Sequence, residues 1–349
     1  MNRRPTREDV ARQAGVSKTT VTYVLGERFD VAIPETTRER VRHAATELGY
    51  RPHAAAQALA SGRTKTITVA FPIHIASHYA HVLQSFERQT NTHGYHMVAT
   101  TIGHVSMHNV APDLDELLSS LTDGIIFVDM PGGFHPFFAD LLPVQKPCIS
   151  AGVFTVPGTD SVTINLERAA WDAMKHLLQG NPERLAFFGS GKDIDPDNPP
   201  SFASSGQLDA RFMAYCRAMR QADKPLEVIT GSPGSRSASR AVLVEYVEEY
   251  GHPDALMCIN DEMAIGAVRA LRDLGLRVPE DVRVVGCDGS EEAEYMNPGL
   301  STIIQPVDWM CEEAWKIMAR RLQYAEAPLE CMTIDAEFVA RDSSHMPAD

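Results

Sequence analysis

The chain has 349 residues, of which 44% are hydrophobic and 22% charged, and it carries a net charge of −14. This length allows two or three domains. No stretch approaches the roughly 18 consecutive apolar residues of a membrane span, and the first residues lead into no apolar signal core. The six cysteines form no CxxC pair, which argues against a disulfide scaffold or a zinc finger. We therefore expect a cytoplasmic protein that makes no membrane contact.

The charge is unevenly distributed along the chain. Residues 1–65 contain 12 lysines and arginines and 7 acidic residues, whereas the remainder is strongly acidic. A basic segment on an acidic body suits a protein of which only that segment approaches a polyanion. A solvated N-terminal helix is the alternative interpretation.

The N-terminal segment has the pattern of a helix-turn-helix. Thr6-Arg7-Glu8-Asp9 forms a capping box, Gly15 allows a tight turn, and Ser17 caps a second helix over about Lys18–Leu25. In this motif the second helix enters the DNA major groove. A third helix is expected to begin at a further capping box, Thr36-Thr37-Arg38-Glu39, and to end at Gly49. A structural helix-turn-helix without DNA contact is the alternative.

The exposed side of the second helix carries the candidates for reading bases. Lys18, Thr19 and Tyr23 lie on that side, and Thr20 and Thr22 are better placed to contact phosphates. Lysine can donate to guanine, and threonine can contact a thymine methyl group.

Residues 51–62 follow as an alanine-rich segment that begins with a proline and ends at a glycine. At about nine residues its helix is too short to be stable alone in water. It is either a plain linker or a hinge helix that forms when two copies pair over DNA, with Leu59 wedged into the minor groove.

From Thr66 onward, short apolar runs alternate with helical patterns, which indicates parallel sheets covered by helices. About 285 residues favour two α/β lobes over one. The expected fold is thus an all-α helix-turn-helix head with a two-lobed α/β body. The expected boundaries are 1–50 for the head, 51–64 for the hinge, 65–163 with 306–328 for the first lobe, and 164–305 with 329–349 for the second.

Ligands of such folds bind beyond the carboxyl ends of the strands, here in a cleft between the lobes. The residues that follow the predicted strands include His74, Asp129, Ser190, Asp288 and Gln305. Polar residues are common at strand ends in any α/β protein, so each one alone is a weak candidate.

The N-terminal motifs together resemble the DNA-binding head of the lactose/galactose repressor (LacI/GalR) family. The resemblance rests on Asp9-Val10-Ala11, Ala14-Gly15-Val16-Ser17, Thr20-Val21-Thr22, Leu48-Gly49-Tyr50 and Ala56-Gln57-Ala58-Leu59. It implies that Lys18, Thr19 and Tyr23 read bases and that Leu59 is the wedge. The expected DNA contacts are Thr6, Ser17, Lys18, Thr19, Thr20, Thr22, Tyr23, His53, Ala56 and Leu59. The segment from Glu27 to Pro34 is slightly longer than is usual in the family.

The body resembles the effector domain of the same family, which is similar to periplasmic sugar-binding proteins. Residues 260–267, 274–288 and 300–303 carry this resemblance. It implies that Asn260, Asp288 and Gln305 contact an effector and that Tyr79 lies near the cleft. The full expected set is His74, Tyr79, Asp129, Ser190, Leu208, Asn260, Asp288 and Gln305.

One departure concerns the effector. The family commonly has an effector-binding arginine three residues before a Gly-Phe pair, and Leu208 occupies that arginine's place. Residues 193–202 add an acidic, proline-rich loop nearby, which is either part of the site or plain surface. The ligand then differs from a small sugar held by a guanidinium.

Metal binding, nucleotide binding and catalysis are only weakly supported by the sequence. Seven of the 13 histidines lie between His74 and His108, and His78 and His81 have helical spacing, but no recognised metal-ligand pattern is completed. Gly189-Ser190-Gly191-Lys192 lacks parts of a phosphate loop, and no nucleophile–base pair is present.

We therefore expect no metal, no cofactor and no enzymatic activity. The expected function is a repressor that binds a pseudo-palindromic operator as a homodimer and responds to a small molecule, a sugar or sugar derivative. The alternative is a solute-binding or sugar-metabolising body with an incidental head. The last residues contain no leucine heptad, which argues against a tetramer formed through the tail.

Overall fold

The computed structural model describes most of the chain, in two compact units. One unit comprises residues 1–66 with 121–123, and the other comprises the rest. The described residues are 5–26, 31–50, 62–72, 77–102, 122–130, 146–156, 158–189, 209–231 and 234–346. Several predictions concern residues outside these ranges, namely the hinge helix, the 193–202 loop, His53, Ala56, Leu59, His74, Ser190 and Leu208.

The described residues of the first unit form the helices α1 (Arg7–Ala14), α2 (Lys18–Leu25) and α3 (Glu35–Leu48). The predicted capping box at Thr6 is confirmed, since the Thr6 amide donates to the Asp9 carboxylate at 2.8 Å and the Asp9 amide donates to the Thr6 hydroxyl at 3.4 Å. The small core of this unit is formed by Val10, Ala11, Ala14, Val21, Val24, Val41, Ala44 and Ala45.

The start of α3 differs from the prediction. Its N-cap is Pro34, which makes no side-chain capping bond, and Thr36 and Thr37 lie inside the helix. The proline ring fixes φ near the helical value, here −56°, so the chain turns into the helix before the threonines. The carbonyl of Pro34 accepts from the Thr37 and Arg38 amides at 2.9 and 3.1 Å. A capping box at Thr36 was therefore the wrong expectation.

The second unit contains two six-stranded sheets covered by helices. The strands are β1 (Thr66–Pro72), β2 (His96–Ile102), β3 (Gly124–Val128), β4 (Cys148–Gly152), β5 (Asp160–Asn165), β6 (Leu185–Gly189), β7 (Val228–Thr230), β8 (Ala255–Cys258), β9 (Arg283–Asp288), β10 (Ser301–Ile304), β11 (Cys331–Asp335) and β12 (Glu337–Val339). Among the described residues, the helices of this unit are α4 (Ser77–Thr92), α5 (Glu167–Leu177), α6 (Ala210–Gln221), α7 (Arg236–Tyr250), α8 (Asp261–Asp273), α9 (Glu291–Tyr295) and α10 (Val307–Gln323).

The order of the strands divides this unit into two lobes. The first sheet has the order β11-β5-β4-β3-β1-β2 and the second β12-β10-β9-β8-β6-β7. The described registers are parallel except that of β10 with β12. Helices α4 and α10 pack together on the first lobe, and α7 packs on α8 in the second. The predicted α/β body with two parallel sheets is confirmed.

The boundary expected at residue 329 is different in the structure. Residues 331–335 form β11 and pair in parallel with β5 of the first sheet, with Thr333 opposite Thr163. Only β12, two residues later, joins the second sheet. The chain therefore leaves the first lobe at Ala336, whose amide donates to the Asn165 carbonyl at 3.0 Å. Within the described residues, no helix has the length and apolar character needed to cross a membrane.

Candidate functional site

Helix α2 presents the surface expected to read DNA. The side chains of Lys18 and Thr19 are exposed, and Tyr23 is half-buried. The Lys18 ammonium lies 3.0 Å from the Glu8 carboxylate, and both side chains are more than half exposed. Because exposed ion pairs contribute little, Lys18 can exchange this partner for a base or a phosphate at small cost.

Several hydroxyls expected to contact DNA already form hydrogen bonds within α1 or α2. The Ser17 hydroxyl caps α2 by accepting from the Thr20 amide at 3.0 Å, and it lies 2.9 Å from the Thr20 hydroxyl. The Thr22 hydroxyl donates to the Lys18 carbonyl at 2.9 Å. The Thr6 hydroxyl belongs to the capping box of α1 and donates to the Asp9 carboxylate at 2.6 Å. These groups therefore hold the two helices in shape before any contact with DNA.

The second unit brings together polar residues from both lobes. In the first lobe, the Asp129 carboxylate follows β3 and accepts from the Val153 amide at 2.6 Å, and Tyr79 on α4 hydrogen-bonds to it. In the second lobe, Asp288 ends β9, and its carboxylate accepts from the Gln305 amide nitrogen at 3.0 Å. Burial is the main cause of the raised pKa of both Asp129 and Asp288, and the negative charges of Asp261 and Asp129 raise the pKa of Asp288 further.

Gln305 has an unused acceptor at this place. Gln305 is 6% exposed, its nitrogen donates to Asp288, and none of the described residues donates a hydrogen bond to its oxygen Oε1. A buried carbonyl oxygen without a donor costs free energy, so Oε1 is a candidate acceptor for a ligand hydroxyl.

Both carboxylates are attached to strained backbone. Asp129 has φ 47° and Asp288 has φ 139°, in the region that side chains rarely adopt. Such strain persists where the surrounding structure imposes it, and it is frequent at ligand sites. Two separate observations, burial and strain, therefore set these aspartates apart.

Asn260, an expected effector contact, also caps a helix. It is the N-cap of α8, and its side-chain oxygen accepts from the Met263 amide at 2.9 Å. The next residue, Asp261, is buried and accepts from the Thr302 hydroxyl at 2.6 Å and the Ser290 amide at 2.8 Å. Asp261 thereby supports the segment that carries Asp288.

Arg211 is a cationic residue of this cluster that the sequence analysis missed. Its guanidinium is buried and bonds both carboxylate oxygens of Asp209, at 3.0 and 2.7 Å, and the Ile259 carbonyl at 2.7 Å. Burial raises the pKa of Asp129 and of Asp288, and the positive charge of Arg211 partly offsets this rise. The sequence contains a sign of this residue, because the family's Gly-Phe pair is replaced here by Arg211-Phe212. The cluster of Tyr79, Asp129, Asp209, Arg211, Asp288 and Gln305 is called the acidic cluster below.

Next to the acidic cluster, four side chains form a hydrogen-bonded group across the lobe boundary. The Ser77 hydroxyl, at the start of α4, donates to Glu262 at 2.8 Å and lies 2.9 Å from Glu292. Arg236 binds both of these glutamates, at 2.7 and 2.9 Å. We call these four residues the interlobe group, since Ser77 belongs to the first lobe and the other three belong to the second.

A cavity of about 690 Å³ lies between β4, β5, α5 and α6. This volume lies in the range that holds small ligands. Its lining includes Val153 and Phe154, whose amides bind Asp129, and Ala210, between Asp209 and Arg211. The Arg217 guanidinium lies 4.6 Å from the ring centre of Trp171 in the same wall. The cavity and the acidic cluster are thus bounded by the same two chain segments.

The two histidines at helical spacing have different surroundings. His78 is buried against Tyr79, with ring centres 5.2 Å apart, whereas His81 is half exposed and lies 3.4 Å from Asp308. Across the described part of the chain, no three histidine, cysteine, aspartate or glutamate side chains are grouped as a metal site would require.

Comparison with known proteins gives matches in both units. Residues 6–53 match the model of bacterial regulatory proteins of the lacI family, and residues 174–344 match a periplasmic binding protein-like domain. The HTH-type transcriptional repressor PurR of Vibrio vulnificus is 28% identical over 341 residues, which cover 96% of this chain and 97% of that protein.

Solved structures share the fold. The lac repressor dimer bound to operator and the anti-inducer ONPF has a TM-score of 0.79 at 22% identity, covering 98% of this chain and 99% of that one. The transcriptional regulator CelR in complex with cellobiose has a TM-score of 0.63 at 24% identity, covering 97% of this chain and all of the other.

Proposed function

Because the chain belongs to the lacI family of bacterial regulatory proteins, we propose that it is a repressor that binds a pseudo-palindromic operator as a homodimer. The observation that carries this proposal is the exposed face of α2, with Lys18 and Thr19 free of core contacts and supported by two capped helices. Two heads of a symmetric dimer would occupy half-sites about one helical turn apart.

The experiment that tests the proposal is selection of bound duplexes from a random pool by the purified full-length protein. The selection is done at a fixed moderate salt concentration, because non-specific binding depends steeply on salt. A recovered pseudo-palindrome supports the proposal. If the pool is not enriched, either alone or with a cell metabolite extract added, the proposal is wrong.

Lys18 is proposed to read a base. Lys18→Ala should relax the preference at one position of each half-site, by about 1–3 kcal/mol of discrimination. Arg42→Ala is the control, because it removes one exposed positive charge from α3 in the same unit. If Lys18→Ala changes only the salt dependence of binding and leaves the base preference unaltered, Lys18 contacts phosphate instead.

Leu59 is proposed as the minor-groove wedge of the hinge. Leu59→Ala should weaken specific DNA binding while the affinity for effector stays unchanged, since the wedge acts on the DNA alone. Operator affinity measured by fluorescence anisotropy checks this. An unaltered affinity would remove Leu59 from the mechanism.

The effector, a sugar or sugar derivative, is proposed to bind between the lobes, against Asp288, Asn260 and Gln305. Its binding would shift the equilibrium between two states of the body, with a coupling of about 1–3 kcal/mol to the DNA-binding state. Cellobiose, lactose and ribose are the first probes, tested by calorimetry and by their effect on operator binding. The sign of that effect identifies an inducer or a corepressor.

Asp288→Ala should abolish binding of whichever probe binds the wild type. Asp281→Ala serves as the control, because Asp281 forms an exposed pair with Arg277 on the same lobe. Unchanged binding by Asp288→Ala would exclude Asp288 from the site.

A further inference from the structure

We infer that Asp209 determines the charge of the ligand: by neutralising Arg211 it restricts the acidic cluster to an uncharged, polyhydroxylated ligand and excludes anionic ones. This inference rests on the proposed function, since it concerns the site at which the effector would bind. It assigns a role to two residues, Asp209 and Arg211, for which the family resemblance predicts none.

The geometry of the Asp209–Arg211 pair leaves the guanidinium little capacity for an anion. All three guanidinium nitrogens donate to Asp209 or to the Ile259 carbonyl, at 2.7–3.0 Å, and Nη1 also lies 3.8 Å from the Cys287 sulfur, so four of the five N–H groups are engaged. Asp209 and Arg211 are 6% and 8% exposed. A bidentate pair of this kind is strong and geometrically specific, so a phosphate or carboxylate would have to displace a buried carboxylate.

The other polar atoms of the cluster are acceptors. Asp129 and Asp288 each present a buried carboxylate, and Gln305 presents the oxygen Oε1, to which no group in the described part of the chain donates. Hydroxyl groups of a ligand can donate to all three. The charged group of an anion could donate to none of them, and among the described residues of the cluster the one cation, Arg211, is already paired with Asp209.

The protonation behaviour of the cluster is consistent with this assignment. Burial raises the pKa of both Asp129 and Asp288, and the Arg211 charge only partly counteracts it. Because negative charge is already disfavoured at this place, a further negative group would meet the same desolvation and repulsion.

The first experiment compares matched ligands on the wild-type chain. A panel of uncharged mono- and disaccharides is tested by calorimetry beside the corresponding aldonates and sugar phosphates. We expect at least one uncharged sugar to bind about a hundredfold more tightly than its anionic counterpart. An anion that binds as tightly as its uncharged partner, or a panel in which no uncharged sugar binds, would overturn the inference.

The second experiment removes the negative charge that neutralises the Arg211 guanidinium. Asp209 is the N-cap of α6, and its carboxylate accepts from the Arg211 amide at 2.9 Å. Asparagine is an equally good cap, so Asp209→Asn removes the negative charge and keeps the cap. We expect this variant to bind inorganic phosphate about tenfold or more tightly than the wild type does.

The control for the second experiment is the double variant Asp209→Asn with Arg211→Gln, which should lose the gained phosphate binding. Circular dichroism verifies that both variants are folded, and if they are not, the matched panel on the wild type decides alone. A folded Asp209→Asn protein that gains no phosphate affinity contradicts the inference. Operator selection remains a separate readout, so failure of the ligand experiments leaves the proposed DNA-binding function testable.

Discussion

At the scale of single residues, Gly152 controls the position of the Asp129 carboxylate, one of the proposed ligand contacts. Its φ is 119°, and a Cβ atom added there would overlap the Asp129 carboxylate. Gly152→Ala should therefore lower the free energy of unfolding by about 1–3 kcal/mol and weaken ligand binding, because Asp129 must move. Chemical denaturation and calorimetry measure the two effects.

Gly94→Ala is the matched control, because Gly94 also has a positive φ, 73°, but no atom lies within 4 Å of an added Cβ. It should cost stability through backbone strain alone and leave ligand binding unchanged. Equal effects of the two substitutions on binding would show that the overlap with Asp129 is unimportant.

His78 should make the stability of the body depend on pH. Burial lowers the pKa of its imidazole from 6.5 to about 4, with smaller contributions from His81 and Arg211. Between these two pH values the unfolded chain takes up a proton that the native state does not, so His78 destabilises the native state as the pH falls. Over this range the loss is about 3 kcal/mol.

The comparison that isolates His78 is the wild type against His78→Gln, by denaturation between pH 7 and pH 4. The variant should lose less stability on acidification. Asp129 and Asp288 act in the opposite direction, because their pKa is raised in the native state, and their effect cancels in the comparison. Equal pH dependence in the two proteins would contradict the lowered pKa.

Residue identities at strand ends could be predicted from the sequence, but their partners could not. Asp129, Asp288 and Gln305 follow apolar runs, and that pattern alone placed them at the edge of a sheet. The Asp209–Arg211 pair depends on the course of the chain at the start of α6 and on Ile259, 48 residues away. No local pattern reports such a contact.

At the scale of elements, the cap of α2 should determine how firmly the DNA-reading surface is held. Ser17→Ala removes the bond to the Thr20 amide, at a cost of about 1 kcal/mol. Amide hydrogens of residues 18–25 should then exchange about fivefold faster. Ser17→Asn keeps an acceptor and should restore the wild-type rate, and an Ala variant with unchanged exchange would show that the cap is dispensable.

The sequence predicted the central strands and one edge strand of each sheet, β2 and β7, and missed the edge strands β11 and β12. The central strands include fully buried apolar runs, as in β3 and β8. Strand β11 alternates between exposed and half-buried residues and β12 has only three residues, none of them buried, so neither has a long apolar run and neither was predicted. The misplaced start of α3 has a similar origin, since Thr36 has a capping residue's identity but lies inside a turn already begun by Pro34.

At the scale of the whole molecule, the interlobe group should favour the arrangement in which the two lobes are close. Arg236→Gln weakens the bonds to Glu262 and Glu292 and removes the one to Ser77, at 2.7 Å. We expect weaker ligand binding and faster hydrogen exchange at the start of α4. Arg240→Gln is the control, because Arg240 lies on the same helix but pairs with Asp273 within one lobe.

If Arg236→Gln and Arg240→Gln change hydrogen exchange at the start of α4 equally, the interlobe group does not hold the lobes together. The exchange is measured on the full chain, so the DNA-binding unit is present in both variants.

The late position of β11 and β12 in the chain has a consequence for synthesis on the ribosome. Each of these strands completes the outer edge of a sheet whose other strands end by residue 304. Domains generally fold as they emerge, from the N terminus onward. The first unit contains its own small core and can form early, while both sheets of the body wait with an unpaired strand edge until residue 339 has left the exit tunnel. A nascent chain that stalls before that point therefore displays a DNA-reading head on an unfinished body, with two open edges for chaperones or for another chain to cover.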